Sequence, residues 1–398
     1  MGGAAVLCLF IILAWFALRE EPSPLDQQPA KTETVKSPAH VAPLLEPLDE
    51  VPNETPTNHP DDSASTNAAV IYRQAFDLFN AMSREQIYNV SDWRTNLNAS
   101  VEAELCEKIR PICNLMQKAL TVTNCDWGID LRTFGPKLSD LNGVRNIVRA
   151  AIWSAAHCRS NDVIGATEDM VSALQVGQQI SRSAVIGCLV DIAVQSITAS
   201  YVTQNLGLFH DANGTRLAAA FDNPVYQESP SRAMEQDADS LDRLVAKLSS
   251  LPAGEAEKQL TALYGLSDTD ISEISRDLFL ADMKQVADLD RELAKALSSS
   301  SENELEAWQT HSTELAASNP FAKINEAYEA FVDRAQRAAV SRAMVVAGLA
   351  VAQNGTDALA SHPDPSSGQP FVYTETPDGF ELQSSYQVNG NPMKMQFK

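Results

Sequence analysis

The sequence predicts a mainly α-helical protein: a bundle of helical hairpins closed by a small C-terminal antiparallel β meander. Three observations carry this expectation. From Asn67 to Gly355, apolar residues recur three and four positions apart, the spacing that lines one face of a helix. Hydrophobic residues make up 44% of the 398-residue chain, enough to bury a sizeable core. Past residue 357 the hydrophobic period falls to two, and turn signals separate the short runs.

Residues 1–19 are expected to form an N-terminal membrane anchor or signal segment. Ala4 to Leu18 carries no charge and makes about 15 residues of helix, roughly 22 Å long. With Gly2 and Gly3 it reaches the low end of the roughly 17–25 residues that span a bilayer. The end of the run, Trp15, Phe16 and Ala17, lacks the pair of small residues that a signal peptidase needs. Leu7 precedes Cys8, which argues against a lipoprotein. An uncleaved anchor is therefore expected, with secretion after cleavage as the alternative. Arg19 lies on the distal side and opposes the positive-inside rule. The signal-like placement and the acidic stretch behind it favour a body on the extracytoplasmic, periplasmic side.

Residues 20–66 hold nine of the chain's 20 prolines, interspersed with Asp49, Glu50, Asp61 and Asp62. Proline and like charge predict a disordered, extended linker. At about 3.1 Å per residue it could reach on the order of 100 Å from the bilayer.

A helical-hairpin domain is expected over residues 67–208. Tyr72, Phe76 and Phe79 share one helix face, and a second helix covers Ser100 to Leu120. Cys125 to Asp130 reads as a loop with Trp127 as an aromatic plug. Leu141, Val144, Val148, Ala151, Ile152 and Ala155 trace the next face, and Asn161-Asp162 makes the turn. Val163, Ala166, Met170, Ala173, Leu174 and Ile180 trace the partner helix, and Ser183 is placed to cap the one after it. Ala184 to Val202 is apolar nearly all round, as in a core helix or a membrane span. Asp191 near its middle argues against the span, because a charge at the bilayer centre costs several kcal/mol. It reads as the central helix of the domain.

Residues 209–356 are read as a charged region of long helices, entered through a break from Asn205 to Pro230. Leu241, Leu244 and Leu248 share a face. Gly254, Gly265-Leu266-Ser267-Asp268 and Ser298 to Ser301 mark turns. Ser318-Asn319-Pro320 signals a helix start and Asn354-Gly355 a stop, about 33 residues or roughly 50 Å later. In residues 357–398, Pro370 to Tyr373 and Phe380 to Leu382 read as strands about the Pro377-Asp378-Gly379 turn. Val388-Asn389-Gly390-Asn391 is a second turn signal, and Met393, Met395 and Phe397 alternate behind it. A meander this small is marginal alone, so it should pack on a helix.

Several of these stretches together resemble a group of uncharacterised exported proteins from planctomycete-type bacteria. The residues concerned are the Cys125-Asp126-Trp127-Gly128-Ile129-Asp130 loop and the following hairpin with its Asn161-Asp162 turn, Ala166, Met170 and Ala173. The tail His362-Pro363-Asp364-Pro365-Ser366-Ser367-Gly368-Gln369-Pro370-Phe371 completes the likeness. It covers roughly Asn67 to Leu208 and Ser361 to Leu382. Ser366 stands where the family pattern often has Phe. The resemblance implies a fold and an exported location but no chemistry. The hairpin from Ile147 to Ile180 also resembles, faintly, one tetratricopeptide unit, with small residues Ser154, Ala166 and Ala173 near the places where its helices touch.

Of the cysteines, Cys8 falls in the anchor, and Cys106, Cys113, Cys125, Cys158 and Cys188 follow. An odd count leaves at least one thiol free. One bridge within Cys106 to Cys158, or buried unpaired thiols throughout, both stand open. On one unbroken helix Cys106 and Cys113 would lie about 10 Å apart along the axis and could not bond. Pro111 is where that helix would break.

No catalytic, cofactor-binding or metal-ligating residue is assigned. The net charge of −22 opposes binding to nucleic acid. Phosphate-binding and dinucleotide-binding glycine motifs and the nucleophile elbow are missing. Asp191 is the most suggestive group, read as a buried carboxylate paired with Arg149 or Arg182. His157 and Cys158 are adjacent on a helix, about 100° apart, and do not face each other. The pairs Asp237/Asp239, Asp268/Asp270 and Asp288/Asp290 read as solvated surface, and Asp364 as at best a weak calcium ligand. Trp127 and Trp153 read as core fillers. The functional expectation is a non-catalytic, membrane-anchored extracytoplasmic protein that binds or organises other proteins, with its partner on the helical domain. The alternatives are an envelope enzyme with a dispersed carboxylate site and a purely structural envelope component. A water-accessible Asp191 beside another titrating group would favour the enzyme; a salt-bridged, packed one would favour the binder.

Overall fold

The computed structural model describes residues 67–128, 137–252, 254–256, 258–259, 276–299, 302–319, 321–322 and 325–398. The expected anchor, the linker, the turn at Gly265 to Asp268 and the pair Asp268/Asp270 lie outside the described residues.

The body is mainly α-helical with a C-terminal antiparallel β meander, as the periodicity predicts. Helix α1 (Ala68–Asn80) starts at Asn67, whose side chain accepts the Ala69 N–H. Helix α2 (Arg84–Ser91) opens with a reciprocal Ser83–Gln86 capping box. Helix α3 (Ala99–Leu120) runs unbroken through Pro111 and buries Leu105, Ile109, Ile112, Cys113 and Met116 on one face. Cys106 and Cys113 thus share one helix and do not pair. Cys106 instead bonds Cys158, with 5.5 Å between their Cα atoms, while Cys113, Cys125 and Cys188 are free thiols.

Helix α4 (Leu138–Trp153) continues into one wide turn, Ser154–Cys158, in which the Arg159 N–H reaches back five residues to the Ser154 carbonyl. Helix α5 (Val163–Ser181) is capped by the Asp162 carboxylate, at the expected turn. Ser154, Ala166 and Ala173 are buried. Helix α6 (Val185–Gln204) is long and apolar enough to cross a membrane, by length and composition. Val194, Thr198 and Val202 are fully buried, and the helix packs against α4, α5 and later elements, as a central helix does. Ser183 does not cap it. The Ser183 hydroxyl donates backward to the Ile180 carbonyl, and the first-turn N–H of Val185 goes to the Asp237 carboxylate.

The expected break from Asn205 to Pro230 holds a short 3-10 turn and a whole helix, α7 (Ala212–Phe221). Pro230 lies inside helix α8 (Val225–Ser250), in its second turn, where it leaves one backbone carbonyl without its intrahelical donor. Helices α9 (Arg276–Ser299) and α10 (Glu302–Ser318) follow. Asn319 caps the Phe321 N–H, so the helix-start signal serves a short 3-10 turn. Helix α11 then runs over Asn325–Asn354, 30 residues, and stops at Gly355 with φ 77°.

Strands β1 (Val372–Thr376), β2 (Gly379–Val388) and β3 (Asn391–Phe397) pair in chain order, all antiparallel. Asn389 and Gly390 both have positive φ, 52° and 76°, the backbone of a type I′ hairpin turn. Phe380 and Leu382 face inward opposite Phe397 and Met395. The Phe397 ring occupies the space a Cβ on Gly348 would need, so glycine there lets the sheet sit directly on α11. Backbone bonds between Lys398 and both Thr203 and Leu206 tie the sheet's last residue to the end of α6. One core joins α1, α3–α7, the second half of α11 and the sheet. Two smaller clusters lie among α8, α9, α10 and the first half of α11, the second of them including Val185 and Cys188 of α6.

Candidate binding groove

A groove of about 330 Å³ opens where the loop of residues 122–128 meets the end of α5 and the start of α8. The loop is held from both sides. Asn67 donates to the Asp126 carbonyl and accepts the Asp126 N–H, at 2.8 and 2.9 Å. The Asp126 carboxylate in turn accepts the Gly128 N–H at 2.9 Å, across a backbone with φ 72° that suits glycine. Trp127 is buried and stacks within 10° of parallel on Tyr72 and Phe76. Arg73 fixes its carbonyl at 2.6 Å while gripping Asp140 through two hydrogen bonds. The expected aromatic plug is thus a core filler that also sets the groove's floor.

The lining is rich in neutral amides. Gln175, Gln178 and Gln179 come from α5, Asn223 from the α7–α8 junction and Gln236 from α8. Gln178 is nearly buried and accepts from Asn223 at 3.2 Å. The Gln179 side-chain oxygen is buried without a hydrogen-bond partner among the described residues. Asp126 and Arg182 supply the charge. Cys125 also lines the groove, but burial pushes its thiol up to about 12, with Arg73 and the Ala69 N–H only partly opposing this. A thiol held protonated is not a nucleophile at neutral pH. Amides offer donors and acceptors side by side, the complement of a peptide group. The groove therefore presents hydrogen-bond donors and acceptors side by side, with Asp126 and Arg182 among them.

The sequence-selected residues lie elsewhere. Asp191 is buried in α6, with one oxygen accepting from Gln195 at 2.9 Å and the other packed against Gly177. Its cation is Arg342 of α11, which also donates to Gln195 at 2.8 Å and covers the Tyr226 ring at 4.7 Å. Arg149 and Arg182 are not that partner; Arg182 lines the groove instead. Burial lifts the Asp191 carboxyl to about 7, against the pull of Arg342 and Gln195. Trp153 is fully buried and stacks on His157, which lies 2.8 Å from the Trp93 carbonyl, and Cys158 is in the disulfide.

The acidic pairs divide. Asp239 and Asp288 are exposed and meet Arg291. Asp290 is buried and Asp237 is half-buried with one oxygen fully enclosed, contrary to the expectation of solvated surface. Residues two apart on a helix point about 200° apart, so when one meets solvent the other turns inward. Asp364 is engaged within the fold: its carboxylate accepts from Ser366, Ser384 and Ser385. Among the described residues, no group of three or more His, Cys, Asp or Glu is arranged to hold a metal. The groove's amides went unread in the sequence, although three glutamines within five residues near the end of one helix were the signal.

No family model, no curated protein and no solved structure matches this chain.

Proposed function

We propose that this chain is a non-catalytic, membrane-anchored extracytoplasmic protein whose helical head binds another protein, receiving an extended segment of it in the amide-lined groove. The groove itself carries the reading: a rigidly mounted, largely neutral slot lined by five amide side chains, with its one thiol held protonated. The packed, Arg342-facing position of Asp191, apart from the groove, weighs for a binder over an acid–base enzyme. The Cys106–Cys158 bond suits an oxidising compartment outside the cytoplasm. The uncharged run from Ala4 to Leu18 supplies the anchor and residues 20–66 the reach. Membership of the exported planctomycete-type group belongs to the same proposal.

The test is cross-linked purification of the full-length protein from its native membranes, beside a Gln175→Trp variant that fills the groove. Discrete partners lost in the variant support the reading. Partners retained undiminished place binding elsewhere, and none above background removes the binding role. Mass measurement of the mature N-terminus decides between anchor and cleavage.

A further inference from the structure

Helices α8 and α9 meet over two carboxyl groups that the groove does not use. Asp290 is 1% exposed, and neither of its oxygens finds a donor in good hydrogen-bond geometry; the Tyr328 hydroxyl of α11 is its polar neighbour. Asp237 has one buried oxygen without a donor, and the other receives only the distant Val185 N–H at 3.4 Å. The two groups lie in each other's field. Ala233, Met234, Leu289, Leu293 and Phe331 belong to the apolar cluster at this junction.

The surrounding groups relieve them only in part, Tyr328 and Arg291 acting on Asp290 against the larger effect of burial. Arg291, next in sequence to Asp290, turns outward to Asp239, Asp242 and Asp288. From α6, Cys188 lies within reach of the Asp237 charge, and Arg342 of α11 is engaged with Asp191, Gln195 and Tyr226. On α10, His311 is paired with Glu292 at the surface. No described cation forms an ion pair with either Asp237 or Asp290. Two ionised carboxylates in such a place would face desolvation and mutual repulsion together.

We infer that Asp237 and Asp290 form a proton-held clasp: protonated, they let α8 and α9 close on each other, and loss of the protons loosens the junction. The clasp also reaches the groove's back wall. Asp237 accepts weakly from the Val185 N–H, two residues past the groove residue Ser183, and its neighbour Gln236 lines the groove. The inference stands whether or not a protein partner uses that groove.

The sign follows from where each group ionises. Burial lifts Asp237 from 3.8 to about 8, and lifts Asp290 well above its ordinary value, with the charge of Asp237 adding to the effect. The closed state therefore holds more protons than the open one between about pH 4 and about pH 8. Its stability falls as pH rises through that window and is level above it.

The experiment is hydrogen exchange of the full-length protein at about pH 6 and about pH 9, corrected for intrinsic amide chemistry. The wild type is compared with an Asp237→Asn, Asp290→Asn chain. Peptides from α8, α9 and residues 182–187 should exchange on the order of a hundredfold faster at the higher pH in the wild type, the equivalent of about two pKa units. The asparagine chain should lose that excess. Equal pH dependence in both chains overturns the clasp. If the asparagine chain does not fold, infrared titration of an Asp169→Asn, Asp191→Asn chain decides, since burial raises both of those carboxyls too. A protonated-carboxyl band present at about pH 6 and gone by about pH 9 supports the clasp, and its absence at the lower pH overturns it.

Discussion

One oxygen of Asp364 accepts both the backbone N–H and the hydroxyl of Ser385, at 2.7 and 2.8 Å. The same oxygen takes the Ser384 hydroxyl at 2.9 Å, and its partner oxygen takes the Ser366 N–H at 2.9 Å. The Gly368 N–H closes the turn on the Asp364 carbonyl, and Pro363 bridges to Pro370. The Asp-Pro-Ser-Ser-Gly segment is thus a latch, and it locks onto the irregular part of β2 between Gln383 and Gln387.

Replacing Asp364 with Ala should cost about 3 kcal/mol of unfolding free energy, since several charge-assisted hydrogen bonds go at once. Burial alone would push this carboxyl up, but its donors outweigh burial and hold it below its ordinary range. The latch therefore contributes fully above about pH 4 and fades as pH falls through the lowered value. Urea titrations of wild type and Asp364→Ala at neutral and acidic pH should show the difference shrinking in acid.

The Cys106–Cys158 bond closes 52 residues of chain between α3 and the wide turn after α4. Chain entropy alone predicts that its removal costs about 4 kcal/mol. A Cys106→Ser, Cys158→Ser chain should melt well below the oxidised wild type and no longer respond to reductant. Thermal melts with and without a thiol reductant give the comparison.

Among the described residues, Arg342 is the cation set against buried Asp191. Substituting it with Met should cost about 3 kcal/mol at alkaline pH, where Asp191 would be left charged and unpaired. Because burial holds Asp191 near 7, it can take up a proton below that value, so the loss should shrink in acid. Equal losses at about pH 5.5 and about pH 8.5 would show that Asp191 stays in one protonation state throughout.

The elements were legible where one physical cause dominates. The 3.6-residue period placed α4 and α5, Asn354-Gly355 ended α11, and Asn389-Gly390 dictated the second hairpin. What failed were inferences needing a partner from far along the chain. Ser183 looked like a cap, but Asp237, more than fifty residues on, takes the Val185 N–H. Asp191 looked for an arginine nearby and found Arg342 on another helix. Asp237 and Asp290 read as surface because the sequence shows that residues two apart do not share a helix face, but not which member the α8–α9 contact turns inward. The groove could not be read at all, since its walls come from a loop, the end of α5 and the α7–α8 junction, which only the tertiary fold brings together.

The central claim is that the amide-lined groove receives a protein. The direct test places a photo-crosslinking amino acid at Gln175 in the groove and, separately, at Tyr88, which is 75% exposed on α2. Irradiation in native membranes should yield a discrete adduct from position 175 and none from position 88, with the adduct mapping to one extended segment of the partner. No adduct at 175, or the same adducts from both positions, would contradict the claim.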